Sequence, residues 1–302
     1  MDGYMAEVVF IDGTAYAHTD FGEFDEDSPN IWKPKDVSSL TFGANGYYLD
    51  FEDSSNLGND ANGGTDFTET NLAAADQATD TPTNSFCTLN SLDNYHQQAT
   101  FSEGNCKIVT GSSDYSYSTT TMGVSAGKWY FEAHLTNDPG SGVEWQHGIV
   151  DVLVENGTTA IGNTANAYSY QTENGEIKNN GSSASYGVTT AQGDIVGVYI
   201  DLDNNKLYFA KNGTIMNSGT GKSINAISST SGFYFGATNF GNGSASGTTS
   251  LNFGGCPSFS ISSGNADAKG YGSFEYDPSS GTFDGSSKNF LAICTKNLAE
   301  YS

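Results

Sequence analysis

An all-β fold is predicted by three observations. Hydrophobic residues make up only 36% of the 302 positions while 13% are aromatic, and the chain holds 37 glycines, 17 tyrosines and 18 phenylalanines, the composition of many short strands joined by tight turns. No window carries apolar residues at helical spacing over three turns, and the one Ala-rich piece, Leu72 to Ala75, is too short to stand as a helix. From Gly193 to Gly213 the chain reads as strand, turn, strand and second turn without interruption.

Composition also bounds the partners. Net charge is −24 and the pI about 4.1, so nucleic acid would have to approach a strongly anionic surface, and that class is set aside. All 11 basic residues are lysines, so the bidentate fork that usually reads phosphates and carboxylates is missing. Recognition is expected to rest on aromatics, amides, hydroxyls and carboxylates, which suit neutral sugars or a lysine-bearing protein face. No signal peptide is read and no apolar run approaches 18 residues, so a membrane span is not expected. Cys87, Cys106, Cys256 and Cys294 are widely spaced with no C-x-x-C, which predicts buried free thiols and no metal or redox centre.

Taken in order, Asp2 to Gly13 reads as one strand and its turn, and one strand cannot bury itself. This segment resembles the final strand of concanavalin-like (laminin-G-type) lectin modules in tailed-phage fibre proteins. Either the chain is a fragment of a longer protein, or the strand completes a sheet elsewhere in this chain or in another copy. Contact by strand addition is expected, with Tyr4, Val8 and Phe10 as the assembly residues. Short strands follow at Val37 to Phe42 and Tyr47 to Phe51, around an acidic turn from Phe21 to Pro29. The loop from Glu52 to Gly64 offers Asp53, Asn59, Asp60 and Asn62 as hard oxygen donors, but no glutamate closes a twelve-residue EF-hand loop. Asx turns explain the same residues without a metal and are the preferred reading, with calcium as the alternative. Tyr48 to Gly58 resembles a connector recurrent in phage fibre proteins, and Thr65 to Asn94 reads as an extended arm or linker.

Strands then come thickly. Trp129, Phe131, Ala133 and Leu135 alternate with Tyr130, Glu132 and His134, so one face is core and the other meets a second layer or water. Val143 to Val154 reads as a strand pair, Tyr168 to Tyr170 as a short strand, Asn179 to Ser185 as a polar loop, and Phe233 to Phe235 and Ser250 to Phe253 as the last strands. In the hairpin, Val196, Val198, Ile200 and Leu202 share one face, Asp203 to Lys206 turn the chain, Leu207 and Phe209 resume the alternation, and Asn212-Gly213 turns it again.

The hairpin closely resembles the central signature of SPRY (B30.2) domains, a GD-I/V-G-V strand, a D-L-D turn and an aromatic strand ending in K/R-N-G. Lys128-Trp-Tyr-Phe-Glu132 resembles that family's opening strand, Gln146-His-Gly-Ile149 its R-I-G-I/V strand, and Leu251-Asn-Phe-Gly254 its closing strand. Thr81 to Leu89 resembles the lead-in to such modules in phage proteins, and Thr295 to Glu300 the boundary that follows them. The resemblance implies an antiparallel SPRY-like (concanavalin-like) β-sandwich with strand-rich flanks: an anchoring and linker region at 1–84, the sandwich at 85–255, and a tail at 256–302 packing on the N-terminal region.

The same resemblance implies binding of short peptides or protein surfaces by loops at one end of the sandwich. In Asn137 to Trp145, the Trp145 ring with Asn137, Asp138 and Glu144 offers an aromatic floor and polar rim. The competing and preferred reading of Trp145 is a core tryptophan. Gln146 stands where the family often has arginine, which speaks against anionic peptides. Catalysis has little support: His18, His96, His134 and His147 share no metal-ligand spacing and read as polar surface residues, and no G-x-S-x-G elbow or phosphate loop is present. Carboxylates are numerous enough that a glycosidase pair stays open by count. Asn156, Asn180, Asn212 and Asn242 are each Asn-Gly-Ser/Thr, turn signals before they are glycosylation sequons. The expected protein is a non-enzymatic, cofactor-free structural part of a tailed-phage virion, contacting other virion proteins, copies of itself or a host-surface glycan or protein. A fibre-like appendage for host adhesion is the first reading, a capsid decoration protein the second and a polysaccharide-degrading tail spike the third.

Overall fold

The structure is a computed structural model and describes the chain outside residues 1–4, 25–31, 82–83, 96–98, 112–115, 140–144, 152–159, 228–231, 241–244 and 256–257. It divides into two compact units, residues 1–85 and 86–302.

The first unit holds two small antiparallel sheets. β1 (Val8–Phe10), β2 (Gly22–Phe24), β3 (Trp32–Pro34) and β4 (Tyr47–Leu49) pair as β1 with β4 and β2 with β3. The N-terminal strand, expected to seek its partner by strand addition, is therefore paired within the chain: Val8 lies opposite Leu49 and Phe10 opposite Tyr47. The matching alternation of Tyr47 and Leu49 supplies what the N-terminal segment lacks alone, and the Phe10 and Tyr47 rings stack at 5.4 Å. Val37, Phe42 and Leu57 form the small core of this unit. Asp60, buried at 4% exposure, accepts from the Tyr48 and Asn62 amides at 2.9 and 3.1 Å. Asp53 accepts from both the amide and the hydroxyl of Ser55. Turn-forming bonds thus occupy these loop carboxylates, in line with the metal-free reading.

The second unit is a sandwich. Its strands are β5 (Leu89–Tyr95), β6 (Thr100–Ser102), β7 (Lys107–Val109), β8 (Ser116–Val124), β9 (Lys128–Asn137), β10 (Trp145–Val150), β11 (Tyr168–Gln171), β12 (Glu176–Asn179), β13 (Ser182–Ser185), β14 (Ile195–Asp201), β15 (Lys206–Lys211), β16 (Thr214–Ile215), β17 (Lys222–Ser223), β18 (Tyr234–Phe240), β19 (Thr248–Asn252) and β20 (Leu291–Ala292). One sheet runs β13-β12-β11-β10-β18-β8-β5, and the other β16-β15-β14-β9-β19-β7-β6 with β17 beside β15 and β20 beside β9. Among the described residues every pairing is antiparallel except β20 on β9.

The expected hairpin is β14–β15, paired from Val196 opposite Lys211 to Asp201 opposite Lys206. Its alternating face joins Trp129, Phe131, Leu135, Trp145, Ile149 and Tyr170 in the core between the sheets. Asn212 and Gly213 both have positive φ, 48° and 76°, as a type I′ turn requires. Asn180 and Gly181 do the same at 50° and 73°, so the segment read as a loop from Asn179 to Ser185 is instead the β12–β13 hairpin. Leu89 to Asn94, the end of the stretch read as arm or linker but inside the bounds expected for the sandwich at 85–255, belong to a sandwich strand, β5. Of the strand pair expected over Val143 to Val154, the described residues show β10 alone.

The tail departs most from expectation. Residues 256–302, read as packing on the N-terminal region, belong to the sandwich unit. The reason lies on the outer face of β9, β14 and β15, where Tyr130, Tyr199 and Tyr208 form an aromatic surface that water would leave exposed. Phe274, Phe283 and Phe290 of the tail pack on it as a second core, every one of the six at 1% exposure or less. The Phe283 ring meets Tyr199, Tyr208 and Phe290 at centroid separations of 5.0, 5.1 and 4.8 Å. A seven-residue helix, α1 (Thr295–Tyr301), shorter than the three turns over which no helical spacing is read in the sequence, ends the segment. It is too short to persist alone and is held by the buried Asn297 amide, which donates to Asp267 and to the Ala292 carbonyl at 2.7 and 3.0 Å.

Candidate interaction site at the loop end of the sandwich

At one end of the sandwich the chain leaves β9 at Asn137 and enters β10 at Trp145, beside the end of β7 and the start of β19. Sequence dictates the frame: β10 alternates so that Trp145, His147 and Ile149 share one face, while Gly148 on the other permits close approach of β11. A Cβ on Gly148 would stand 1.9 Å from the Tyr168 carbonyl oxygen, so no other residue fits that place in the strand.

Polar bonds tie the strand ends together. Asn137 donates through its side-chain amide to the Ser246 carbonyl at 2.9 Å, and its own carbonyl accepts from the Trp145 indole at 3.3 Å. The Gly247 amide donates to the Thr110 hydroxyl at 2.9 Å, and the Ser246 hydroxyl donates to the Thr110 carbonyl. The Trp145 amide donates to the Thr172 hydroxyl at 3.1 Å, and the Thr172 amide returns a bond to the Trp145 carbonyl at 3.0 Å. Strands from both sheets are thereby fixed to each other where the connecting loops begin.

This arrangement corrects the aromatic floor. Trp145 has 0% exposure and belongs to the core, because its strand position points it between the sheets. Asn137 is exposed and Asp138 half-buried, so these two remain on the surface, while Glu144 lies outside the described residues. Of the assembly residues, Val8 is half-buried and Phe10 is 48% exposed, and Tyr4 lies outside the described residues.

His147 was read as a surface residue and is wholly buried, stacked on Trp145 at 5.9 Å with its Nδ1 bonded to the Thr238 hydroxyl at 3.1 Å and its Nε2 without a partner. Burial lowers its pKa from 6.5 to about 3. The unfolded chain therefore takes up a proton below pH 6.5 that the folded one refuses, and the stability contributed by the neutral imidazole, complete above pH 6.5, drains away as the pH falls towards 3. Wild-type protein is expected to lose about 1.4 kcal/mol per pH unit in that window, a slope absent from His147→Gln. Parallel urea titrations of the two proteins at pH 7, 5.5 and 4.5 check this, and equal slopes would mean the imidazole is solvated.

Sequence reasoning missed the second cluster of buried polar groups, which clamps the tail. Glu132, at 0% exposure, accepts from the Tyr130 hydroxyl and Tyr276 amide with one oxygen and from the Asn252 amide and Glu275 amide with the other, at 2.8 to 3.1 Å. Burial raises its carboxyl above the usual range even against these four donors. Asp201, in the D-L-D turn, is met by Lys288 at 2.6 Å, and the same ammonium lies 2.9 Å from the Tyr208 hydroxyl. Tyr276 lies over Gly213, where a Cβ would come within 2.5 Å of the ring. The only advance signal was a glutamate set between Phe131 and Ala133 in a strand whose middle is otherwise aromatic and apolar from Trp129 to Ala133.

Cys87, Cys106 and Cys294 are buried thiols outside any disulfide, and Cys256 lies outside the described residues. Among the described residues no group of three His, Cys, Asp or Glu is placed to hold a metal ion.

Residues 128–236 match the family model of the SPRY domain. No curated protein matches the chain. Among solved structures, the SPRY domain of human HERC1 is similar at 15% identity and a TM-score of 0.44, over 57% of this chain and 99% of that one. A human SPRY domain is similar at 16% identity and a TM-score of 0.41, over 51% and 94%. A stonustoxin structure is similar at 18% identity and a TM-score of 0.40, over 55% and 27%. The signature hairpin β14–β15, with β9 and β10 beside it, falls on the residues of the family model: the chain contains a SPRY domain.

Proposed function

We propose that this chain is a non-enzymatic attachment protein, in which the loop end of the SPRY domain meets a protein or glycan surface and residues 1–85 hold the chain on a larger assembly. The observation that carries this reading is the bonded frame of Asn137, Trp145, Thr172, Thr110 and Ser246, which launches the loops from a rigid base. Binding residues are commonly carried in this way, on loops fixed by a scaffold. Asn137, Asp138 and Pro139 are exposed or half-buried at that end, and none carries a positive charge to attract an anion.

The setting we propose is the virion of a tailed phage, with a fibre-like appendage that touches the host as the first role. Its support is the resemblance of Tyr48 to Gly58, Thr81 to Leu89 and the N-terminal strand to phage fibre segments. Capsid decoration is the second role, favoured by the exposed aromatics of residues 1–85, which suit anchorage on a shell. Many copies on one particle would let each contact be weak and still hold a cell. Reconstruction of the particle tests the setting: density at the tail supports adhesion, density on the capsid lattice supports decoration, and its absence from the particle overturns both. Asn137→Ala with Asp138→Ala is expected to weaken particle or protein adhesion to host cells about tenfold, with Tm lowered by no more than about 4 °C for the lost Asn137 to Ser246 bond. Unaltered adhesion would remove the loop end from the reading, and release of oligosaccharide from host envelope would replace attachment with degradation.

A further inference from the structure

Six of the nine large hydrophobic side chains exposed among the described residues lie in residues 1–85: Met5, Phe10, Phe24, Trp32, Phe67 and Leu72. Their distribution is not uniform within that unit. The register of β1 and β4 puts Val8, Phe10, Tyr47 and Leu49 on one face, and Val9 and Tyr48 on the other. The second face is covered, since Phe42 stacks on Tyr48 at 6.2 Å and is itself buried. The first is open. Phe10 stacks flat on Tyr47 at 5.4 Å, Phe67 meets the same ring edge-on at 4.9 Å, and Phe10 and Phe67 stay 48% and 46% exposed. A continuous aromatic surface of this kind marks a contact site.

Charge identifies what the surface fits. Residues 1–85 hold 17 aspartates and glutamates against two lysines, a balance of −15. Glu7 is spent on the Tyr48 hydroxyl of the covered face, whereas Asp12 follows Phe10 by two residues and Asp66 directly precedes Phe67 in the chain. The two lysines, Lys33 and Lys35, are on or next to the other hairpin and face Glu23 at 3.8 and 4.0 Å, so both lie beside an acid of their own. A second copy of the chain, at −24, would bring like charge to like charge.

We propose that the Val8, Phe10, Tyr47, Leu49 and Phe67 face of the β1–β4 sheet docks a lysine-bearing protein segment whose apolar side chains alternate with its ammonium groups. The aromatic rings take the apolar side chains and the carboxylates of this strongly acidic unit take the cations. This deepens the anchoring role proposed for residues 1–85 by naming the chemistry of the partner. A particle reconstruction that leaves residues 1–85 without a neighbour would sink the anchoring role and leave the peptide result below untouched.

The test uses the full chain and fluorescein-labelled nine-residue peptides of alternating lysine and valine, glutamate and valine, or serine and valine, followed by fluorescence anisotropy. The lysine peptide is expected to bind at least about tenfold more tightly than the other two, and to weaken by a similar factor from 50 to 500 mM salt. Phe10→Ser with Phe67→Ser, both at exposed positions, is expected to weaken it about tenfold with Tm unchanged, whereas Phe233→Ser in the sandwich unit leaves it intact. Equal binding of the three peptides, indifference to the Phe10 and Phe67 changes, or a dimer in sedimentation that those changes abolish would overturn the proposal, the last by making a second copy the occupant.

Discussion

Glu132→Ala is expected to destabilise residues 86–302 by roughly 4 kcal/mol and lower their Tm by about 10 °C. The size follows from what the carboxylate holds. Its four donors include the backbone amides of Glu275 and Tyr276, which would stay buried with no acceptor once it is gone, each at a cost of about 1 to 3 kcal/mol. The loss is local as well as global, because those amides fasten the tail to the outer face of β9. Hydrogen exchange should therefore accelerate first at residues 275 and 276, before the β14–β15 hairpin responds. Glu132→Gln should fall between the two proteins, since one oxygen still accepts while its new amide faces the Asn252 amide or the Glu275 N–H. A Tm within about 2 °C of wild type for the alanine variant would show that the clamp carries little of the fold's stability.

Lys288→Met should cost about 3 kcal/mol, for a reason different in kind. The ion pair with Asp201 is 10% exposed at the lysine and 0% at the aspartate, so removing the cation strands a buried carboxylate that only Asn204 then serves. Replacing both partners should cost less than replacing one, because Asp201→Asn with Lys288→Met leaves no buried charge to satisfy. A double-mutant cycle by urea unfolding is expected to return a coupling of about 2 kcal/mol. Strict additivity would mean that water reaches the pair, against its burial.

These two clusters mark where sequence reasoning succeeded and where it stopped. The hairpin was legible because period-two alternation, Asp-rich turn chemistry and Asn212-Gly213 are local signals that all point one way. The alternation of β9 left its second face to meet another layer or water. It could not say which layer, since Phe274, Phe283 and Phe290 are scattered through a Gly- and Ser-rich tail with no periodicity. Contacts such as Lys288 to Asp201 join residues 87 positions apart, and nothing at either end declares the other. At the loop end, Trp145 was weighed as a ligand floor and, by preference, as a core tryptophan, and its 0% exposure agrees with the second. His147 was misjudged because a lone histidine in a strand carries no sign of the Thr238 hydroxyl that accommodates it.

The slot beside β9 sets the order in which this domain can be made. β19 occupies that edge of β9 at Thr248 to Asn252, and β20 takes over at Leu291 and Ala292, opposite Trp129 and Tyr130. A ribosome that has released everything through β19 has supplied all but this short pair of strand residues and the second aromatic layer. Tyr130, Tyr199 and Tyr208 would then face solvent on an unfinished sheet until the chain has grown past Ala292. Non-local contacts of this span fold slowly and leave adhesive surface open meanwhile. Ribosome-bound chains arrested between residues 255 and 290 would present that sticky intermediate, and any transplant of this sandwich into another protein has to carry the chain through Tyr301 with it.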